Sequence, residues 1–285
     1  MADTGVAAGP EEFARVAADL IGAEIGAGRA RDLDRAVRAA ARAAGGAAAG
    51  DELARRLRTA PPGDPVRRAF VEALTISETH LFRLKDQFDA LAERVLPALL
   101  TARRATGRLR LWSAGCSTGE EAWSLAILLE RLVPPEWDVT VLATDVDEGA
   151  LERARRGVYG ARSFRGVPEW VRARWFTAAG DEWEVDPHLR RRVRFVAHNL
   201  VTDPYPSFET GTTGIDLLLC RNVLMYLTPE ARAAVAGRLA RCLAPGAWLA
   251  VAAAELSAAA FPDLAVHQFP LAIFYQRPDP PAPVR

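Results

Sequence analysis

The feature that most constrains this chain is an alternation that begins near Arg108, where short apolar runs take turns with stretches of helical spacing. LRLWSAGC (109–116), VTVLATDVD (139–147), RVRFVAHNL (192–200), GIDLLLCRNVL (214–224) and GAWLAVAAAEL (246–256) read as strands, and 120–133, 148–156 and 229–243 read as the helices that follow most of them. Several runs are apolar nearly throughout rather than at every second position. That pattern marks strands covered on both faces, as in a parallel sheet. Strands alternating with helices build an open, doubly wound α/β fold. The apolar runs near 264–277 lie close enough together to make an antiparallel hairpin at the sheet edge. The segment Gly157–Arg191, dense in Arg, Trp and Glu, is longer than an ordinary crossover. It predicts an inserted subdomain, a helix with a small hairpin at WFTAAGDEWEV.

Residues 1–75 have a different character. They are rich in Ala, Arg and Leu, with apolar residues at helical spacing (Phe13, Val16, Ala17, Leu20, Ile21), and read as a small all-α domain ahead of an α/β domain over 76–285. Gly45–Gly46 and Pro61–Pro62–Gly63 break the helices. The biased stretch Arg35–Ala49 reads as helix followed by loop.

Composition excludes several classes. Half of the 285 residues are hydrophobic and a quarter are charged, which is not a disordered polymer. The 36 basic residues are balanced by 36 acidic ones, which argues against binding nucleic acid through bulk positive charge. Cys116, Cys220 and Cys242 are far apart, with no metal-ligand spacing, and suit a reducing compartment; no metal is expected. MADTGVAAGPEEF places acids where a signal peptide needs basic residues. LAPGAWLAVAAAEL is too short to span a bilayer and is broken by Pro245 and Gly246. A cytoplasmic protein without membrane insertion, acting as a monomer, is expected.

In an open α/β sheet the ligand sits beyond the carboxyl ends of the strands. The tips to inspect are SAGCSTGEE (113–121), TDVD (144–147), HNL (198–200) and CRN (220–222). The first has the small residues that let backbone amides approach a ligand, but it is neither GxGxxG nor GxxxxGK and carries Glu120 and Glu121. A pyrophosphate would be repelled there and a positive centre welcome; the alternative is a tight turn whose acids complement a helix dipole. Asp145 ends the second strand, where a carboxylate can accept both hydroxyls of a ribose. Asp147 is better placed as a helix N-cap. A ribose, a positive centre and no phosphate together point to S-adenosylmethionine.

Five ordered motifs then carry a resemblance. TISETHLFRLKDQF (75–88), LWSAGCSTGEEAWSLAILL, TDVDEGALERARRGVYG, HNL and LLCRNVLMYL resemble, in order and spacing, the motifs of the chemotaxis receptor methyltransferases, the CheR family. They cover roughly 70–256, and the helical first part resembles the family's N-terminal domain more weakly. The resemblance implies a Rossmann-like class I S-adenosylmethionine-dependent methyltransferase, with cofactor contacts at Ser77, Thr79, Arg83, Glu121, Asp145, Asn199, Leu200, Arg221 and Asn222. Glu120 is the competitor of Glu121, which is preferred. Leu81 and Trp123 stand where the family has phenylalanine and tyrosine. The guanidinium of Arg83 suits a carboxylate of the cofactor or of the substrate, Asn222 can position the methionine moiety or the methyl acceptor, and Tyr226 can orient an incoming carboxylate.

The family methylates glutamates of chemoreceptors and releases S-adenosylhomocysteine. A glutamate with a pKa near ~4.3 is already ionised at neutral pH, so the reaction needs alignment and exclusion of water but no general base. The four histidines, at 80, 188, 198 and 267, do not cluster in sequence; His198 sits beside Asn199 and reads as a core or supporting residue. Arg35, Arg38 and Arg42, three and four apart, form one positive helical stripe. It is either the face turned to acidic receptor helices, as the resemblance implies, or an ordinary solvated face. Some members tether a receptor's C-terminal pentapeptide through a glycine-containing loop. FTAAGDEWEV lacks a G-x-G, which predicts a protein independent of that tether. Two other readings stay open: the same fold methylating another acceptor, and a non-catalytic cofactor-binding regulator.

Overall fold

The computed structural model describes residues 8–46 and 50–279. The amino-terminal leader reading at residues 1–7 and the loop reading at 47–49 lie outside them. Helices α1 (Pro10–Ile21), α2 (Ala30–Ala43), α3 (Gly50–Thr59) and α4 (Pro65–Leu74) come first. Their apolar faces meet in one core around Phe13, Val16, Ala36, Leu57 and Phe70. Sequence punctuation sets their ends. Pro10 and Pro65 open α1 and α4 at positions where a missing N–H costs nothing. The Asp64 side chain caps α4 by accepting from Val66 N and Arg67 N. Gly45 and Gly46 follow α2 in left-handed conformations.

The chain then enters α5 (Lys85–Ala90), which continues through a π-turn at Leu91–Val95 into α6 (Leu96–Ala102). The α/β part follows: β1 (Arg108–Ala114), α7 (Glu120–Leu132), β2 (Asp138–Asp145) and α8 (Glu148–Arg156). An insertion carries β3 (Val158–Tyr159), α9 (Glu169–Trp175), β4 (Phe176–Ala179), β5 (Glu182–Val185) and α10 (Pro187–Arg190). The last elements are β6 (Val193–Ala197), β7 (Ile215–Leu219), α11 (Pro229–Cys242), β8 (Leu243–Ala250), β9 (Ala265–Phe269) and β10 (Ala272–Gln276).

The main sheet has the order β6-β2-β1-β7-β8-β10-β9. Its first five strands are parallel, and β10 runs antiparallel to both β8 and β9. The continuous apolar runs are explained by cover on both faces. Leu111 of β1 packs into the core under α5, α6 and α7, and its neighbour Trp112 into the core under α11. The predicted strands overrun at their carboxyl ends: β7 stops at Leu219 and β8 at Ala250, because the polar tips turn away from the ladder. The insertion folds as a three-stranded antiparallel sheet, β3-β5-β4, with one more short strand than the helix-and-hairpin reading contained.

Strand order reverses between β1 and β7, and the crevice beyond that switch point is where an open sheet binds its ligand. The helical first part is laid against this end. Asn199 Nδ2 donates to Leu20 O (2.7 Å), Glu24 N to Tyr226 O (2.8 Å) and Thr228 N to Gly22 O (2.8 Å). Gly22 sits at φ +67°, and a Cβ on it would lie 2.8 Å from Val201 and 2.9 Å from Ala231, so only glycine allows so close an approach. No helix among the described residues is long and apolar enough to cross a membrane. Leu57 is fully buried in the core of the first four helices, so Leu57→Ala is expected to cost about 2–5 kcal/mol, read as a lower denaturation midpoint.

Candidate active site

Polar tips and the first four helices enclose a cleft of about 140 Å3. It opens into a smaller lobe of about 60 Å3, and the two share walls at Ile76, Gly115, Ser117, Asn222 and Tyr226. The larger lobe carries Ser77, Asp145, Asn199 and Leu200; the smaller carries Thr79, Arg83, Glu121 and Arg221. Nine of the ten residues put forward as cofactor contacts therefore line one space. Tyr226 lines it too.

Glu120 is the exception. Its carboxylate turns away and accepts from Thr118 Oγ1 (2.6 Å) and Ser163 Oγ (2.8 Å). Glu121 faces the cleft, where it accepts from Ser113 Oγ (2.6 Å) and Arg221 Nε (2.6 Å). Consecutive residues at the start of a helix point about 100° apart, and the backbone of α7 decides which of the two looks inward. From Nη1 Arg221 also donates to Arg83 O (2.8 Å) and Gln87 Oε1 (3.1 Å), and it lies over the Phe88 ring. Leu81 and Trp123 are buried in the cluster beneath the insertion rather than at the cleft.

Asp145 accepts from Ser117 N (2.7 Å) and Asp147 N (2.9 Å), one bond per oxygen. Each oxygen keeps a lone pair for a further donor. Burial among the strand tips pushes this carboxyl up to about 6, against the pull of the Asp147 and Ser117 amides. Asp147 caps α8 through Ala150 N (2.8 Å), as its position predicts, and also accepts from Thr75 Oγ1 (2.7 Å). The Asn199 side chain is committed to Leu20 O and to the Val201 amide (2.9 Å), so it presents itself to the cleft as a braced loop rather than as a free amide. His198 is buried, and burial pulls its pKa below the usual histidine value. Cys116 lines the smaller lobe, but burial pushes its thiol well up, so it is no nucleophile at neutral pH.

Of the four non-glycine residues with positive φ among the described residues, Ser117 and Asn222 line this cleft, and Phe82 and Leu84 stand on either side of Arg83 in the chain. Such backbone persists only where surroundings over-determine it. For Asn222 the device is Glu255, which the sequence reading passed over. Its Oε2 accepts from Asn222 N (2.8 Å) and Ala252 N (2.9 Å), and its Oε1 from Val223 N (2.7 Å) and Met225 N (3.2 Å). A lone acid in the run AVAAAEL was the available signal. Arg29 and Gln87 were passed over too, and nothing local marks them.

The arginine stripe stays on the surface of α2. Arg35 pairs with Asp32 (2.9 Å) and donates to Ala73 O (3.0 Å), Arg38 pairs with Asp34, and Arg42 is exposed. None of the three lines the cleft.

Residues 77–263 match the family model described as CheR methyltransferase, SAM binding domain. The chain belongs to this family. It is 38% identical over 186 residues to the chemotaxis protein methyltransferase of Listeria monocytogenes, covering 65% of this chain and 68% of that one. It is 36% identical over 211 residues to chemotaxis protein methyltransferase 1 of Pseudomonas aeruginosa, covering 72% and 74%. A probable biofilm formation methyltransferase, WspC, of the same organism is 35% identical over 193 residues, 67% of this chain and 44% of that one. The chain is thus a methyltransferase that uses S-adenosylmethionine.

The cleft fits that cofactor. Ser117 Oγ and His198 Nε2, both on its walls, are buried without a hydrogen-bond partner, a demand that nucleoside hydroxyls and ring nitrogens can meet. The carboxylates of Asp145 and Glu121 suit a positively charged sulfur.

Two outcomes are expected. Ionised Asp145 is the form that attracts a cation and accepts hydroxyl donors. Its pKa lies near 6, so cofactor affinity should hold above pH 6 and fall by up to about tenfold per pH unit below it. Calorimetry from pH 5 to 8 reads this, and Asp145→Asn should bind weakly at every pH. Removing Arg221 strands the Glu121 charge in the interior. Arg221→Met should therefore cost about 3–5 kcal/mol in chemical denaturation, part of it returned by adding Glu121→Gln.

Proposed function

We propose that the protein methylates glutamate side chains of a chemoreceptor's cytoplasmic helical region, giving methyl esters. The observation that carries this reading is that the carboxylates lining the cleft are used as anchors and its unpartnered imidazole nitrogen, His198 Nε2, is buried in the wall rather than open to an acceptor. Asp145, Asp147 and Glu121 are each committed to two or more protein donors, and His198 Nδ1 faces Asp203 at 3.5 Å. With the remaining lone pairs of Asp145 taken by ribose hydroxyls, an acceptor that must lose a proton, such as an alcohol or an ammonium, finds no exposed base here. An acceptor already ionised needs none. When bound, S-adenosylmethionine supplies a methyl group on a positively charged sulfur, which a carboxylate can accept without proton transfer.

In this reading the chain's residues hold and orient. Asp145, Leu200 and the loop braced by Asn199 seat the nucleoside. Glu121, fixed by Ser113 and Arg221, presents charge beneath the methionine end. Asn222, held by Glu255, stands where the two lobes meet, with Tyr226 four residues on at the rim. Arg83 brings a guanidinium whose only partner among the described residues is Glu78 O. The names of the Listeria and Pseudomonas relatives support chemotaxis as the pathway, and WspC supports a second pathway built on the same chemistry. The hairpin between β4 and β5 turns in two residues, Gly180 and Asp181, which supports independence from a pentapeptide tether. The surface stripe of Arg35, Arg38 and Arg42 is the face offered to acidic receptor helices. Action in the cytoplasm as a monomer is part of the same reading.

The test is transfer of tritiated methyl to a receptor cytoplasmic fragment, made with and without its C-terminal pentapeptide, followed by alkali. Label released as methanol, at equal rates from both fragments, is the expected result. Alkali-stable label would mean another acceptor chemistry, and tight cofactor binding without transfer would mean a regulator.

A further inference from the structure

We propose that Arg29, contributed by the helical first part, receives the carboxylate of the methyl acceptor at the rim of the cleft. The assignment rests on the reaction proposed above. It concerns a residue outside 77–263, the span the family model matches.

The argument is an accounting of charge. Three arginines line the cleft: Arg29, Arg83 and Arg221. Arg221 is neutralised by Glu121 and also donates to Arg83 O and Gln87. Arg83 has no carboxylate partner among the described residues, and Arg29 has only Asp32, at 3.4 Å and shared with Arg35; against these two guanidiniums stand two carboxylates, one on the methionine end of the cofactor and one on the acceptor. Arg83 lies in the smaller lobe with Thr79 and Glu121, while Arg29 lies in the other lobe, on the wall made by the first four helices. Tyr226 belongs to both lobes, and the Arg29 guanidinium lies 5.7 Å from the centre of its ring. One cation per carboxylate, one in each of the two lobes that share Tyr226, is the division the geometry allows.

Arg29 is held for this work. Its Nη2 donates to Leu74 O (2.6 Å), with longer contacts from Nη1 to Glu24 O and from Nε to Asp32, both 3.4 Å. Its side chain is 18% exposed. A guanidinium has five N–H groups, so two remain free on a group that is already oriented and partly dehydrated. A planar donor of that kind is suited to a carboxylate. Its place on the helical wall also gives the first four helices a share in the chemistry: without them the acceptor has no cation of its own.

The test compares Arg29→Gln and Arg29→Lys with wild type in methyl transfer to the receptor fragment, and measures S-adenosylhomocysteine affinity of each by calorimetry. The expected result for Arg29→Gln is a fall of at least tenfold in kcat/KM for the receptor with product affinity within twofold of wild type. Arg29→Lys, which keeps the charge, should recover part of the loss. The product affinity also reports that the variant is folded. A parallel loss of product affinity would make Arg29 a cofactor or structural residue, and an unchanged kcat/KM would make it a bystander; either overturns the assignment. If wild type itself transfers no base-labile methyl, the reaction reading fails first and takes the assignment with it.

Discussion

The site depends on one buried ion pair, Glu121 with Arg221. It joins the start of α7, just past the tip of β1, to the residue that follows the tip of β7, the two strands between which the sheet order reverses. Two opposite charges are tolerable in that interior because each has the other and further hydrogen-bond partners besides. Glu121 also accepts from Ser113, and Arg221 also donates to the Arg83 carbonyl and to Gln87, which in turn donates to Val251 O (2.7 Å). The pair therefore fixes three things together: the first tip, the fourth tip, and the loop that carries Arg83. A hydrophobic substitute of similar volume could fill the space, but it could not hold a backbone carbonyl 138 residues away in sequence.

Glu255 and Asp145 extend the same device along the strand ends. Each is an acid whose oxygens collect main-chain N–H groups from loops that would otherwise splay: four for Glu255, and those of Ser117 and Asp147 for Asp145. Acids gathering amides hold Ser117 and Asn222 at positive φ, conformations that cost of order 1–3 kcal/mol each when unsupported. The site keeps its shape through carboxylates used as anchors.

Those bonds also explain what could and could not be read from the sequence. The alternation of apolar runs placed the parallel strands and their helices, because burial on both faces leaves a continuous mark. The polar residues closing each run marked the tips, because a sheet can present ligands only where its ladder ends. Asp147 was legible as a cap from its position alone. Partners distant in the chain were not legible. Nothing near Arg29 shows that Leu74 and Tyr226 will come to meet it, and nothing near Asn199 shows that its amide will be spent on Leu20. Glu120 and Glu121 are alike as letters and differ only in which side of α7 they occupy. The strand ends were overrun because Cys220 and Val251 stay buried after pairing has stopped, so apolar character outlasts the ladder.

The first four helices are more than an appendage to this arrangement. They contribute Ile21, Ala23, Arg29 and Leu74 to the wall facing the tips, and they are tied down on both sides of the opening, at Asn199 on one and at Tyr226 and Thr228 on the other. A cleft roofed this way sheds water from a bound nucleoside, which strengthens every charge interaction inside it. It also sets where a large acceptor can enter. The protein acceptor proposed above would come over the rim at Tyr226, between the lobe that holds Arg83 and the wall that holds Arg29, and its carboxylate would meet oriented N–H groups before the cofactor's charge. Selectivity for an anion is thus built into the approach, and the chemical step that follows asks only for alignment.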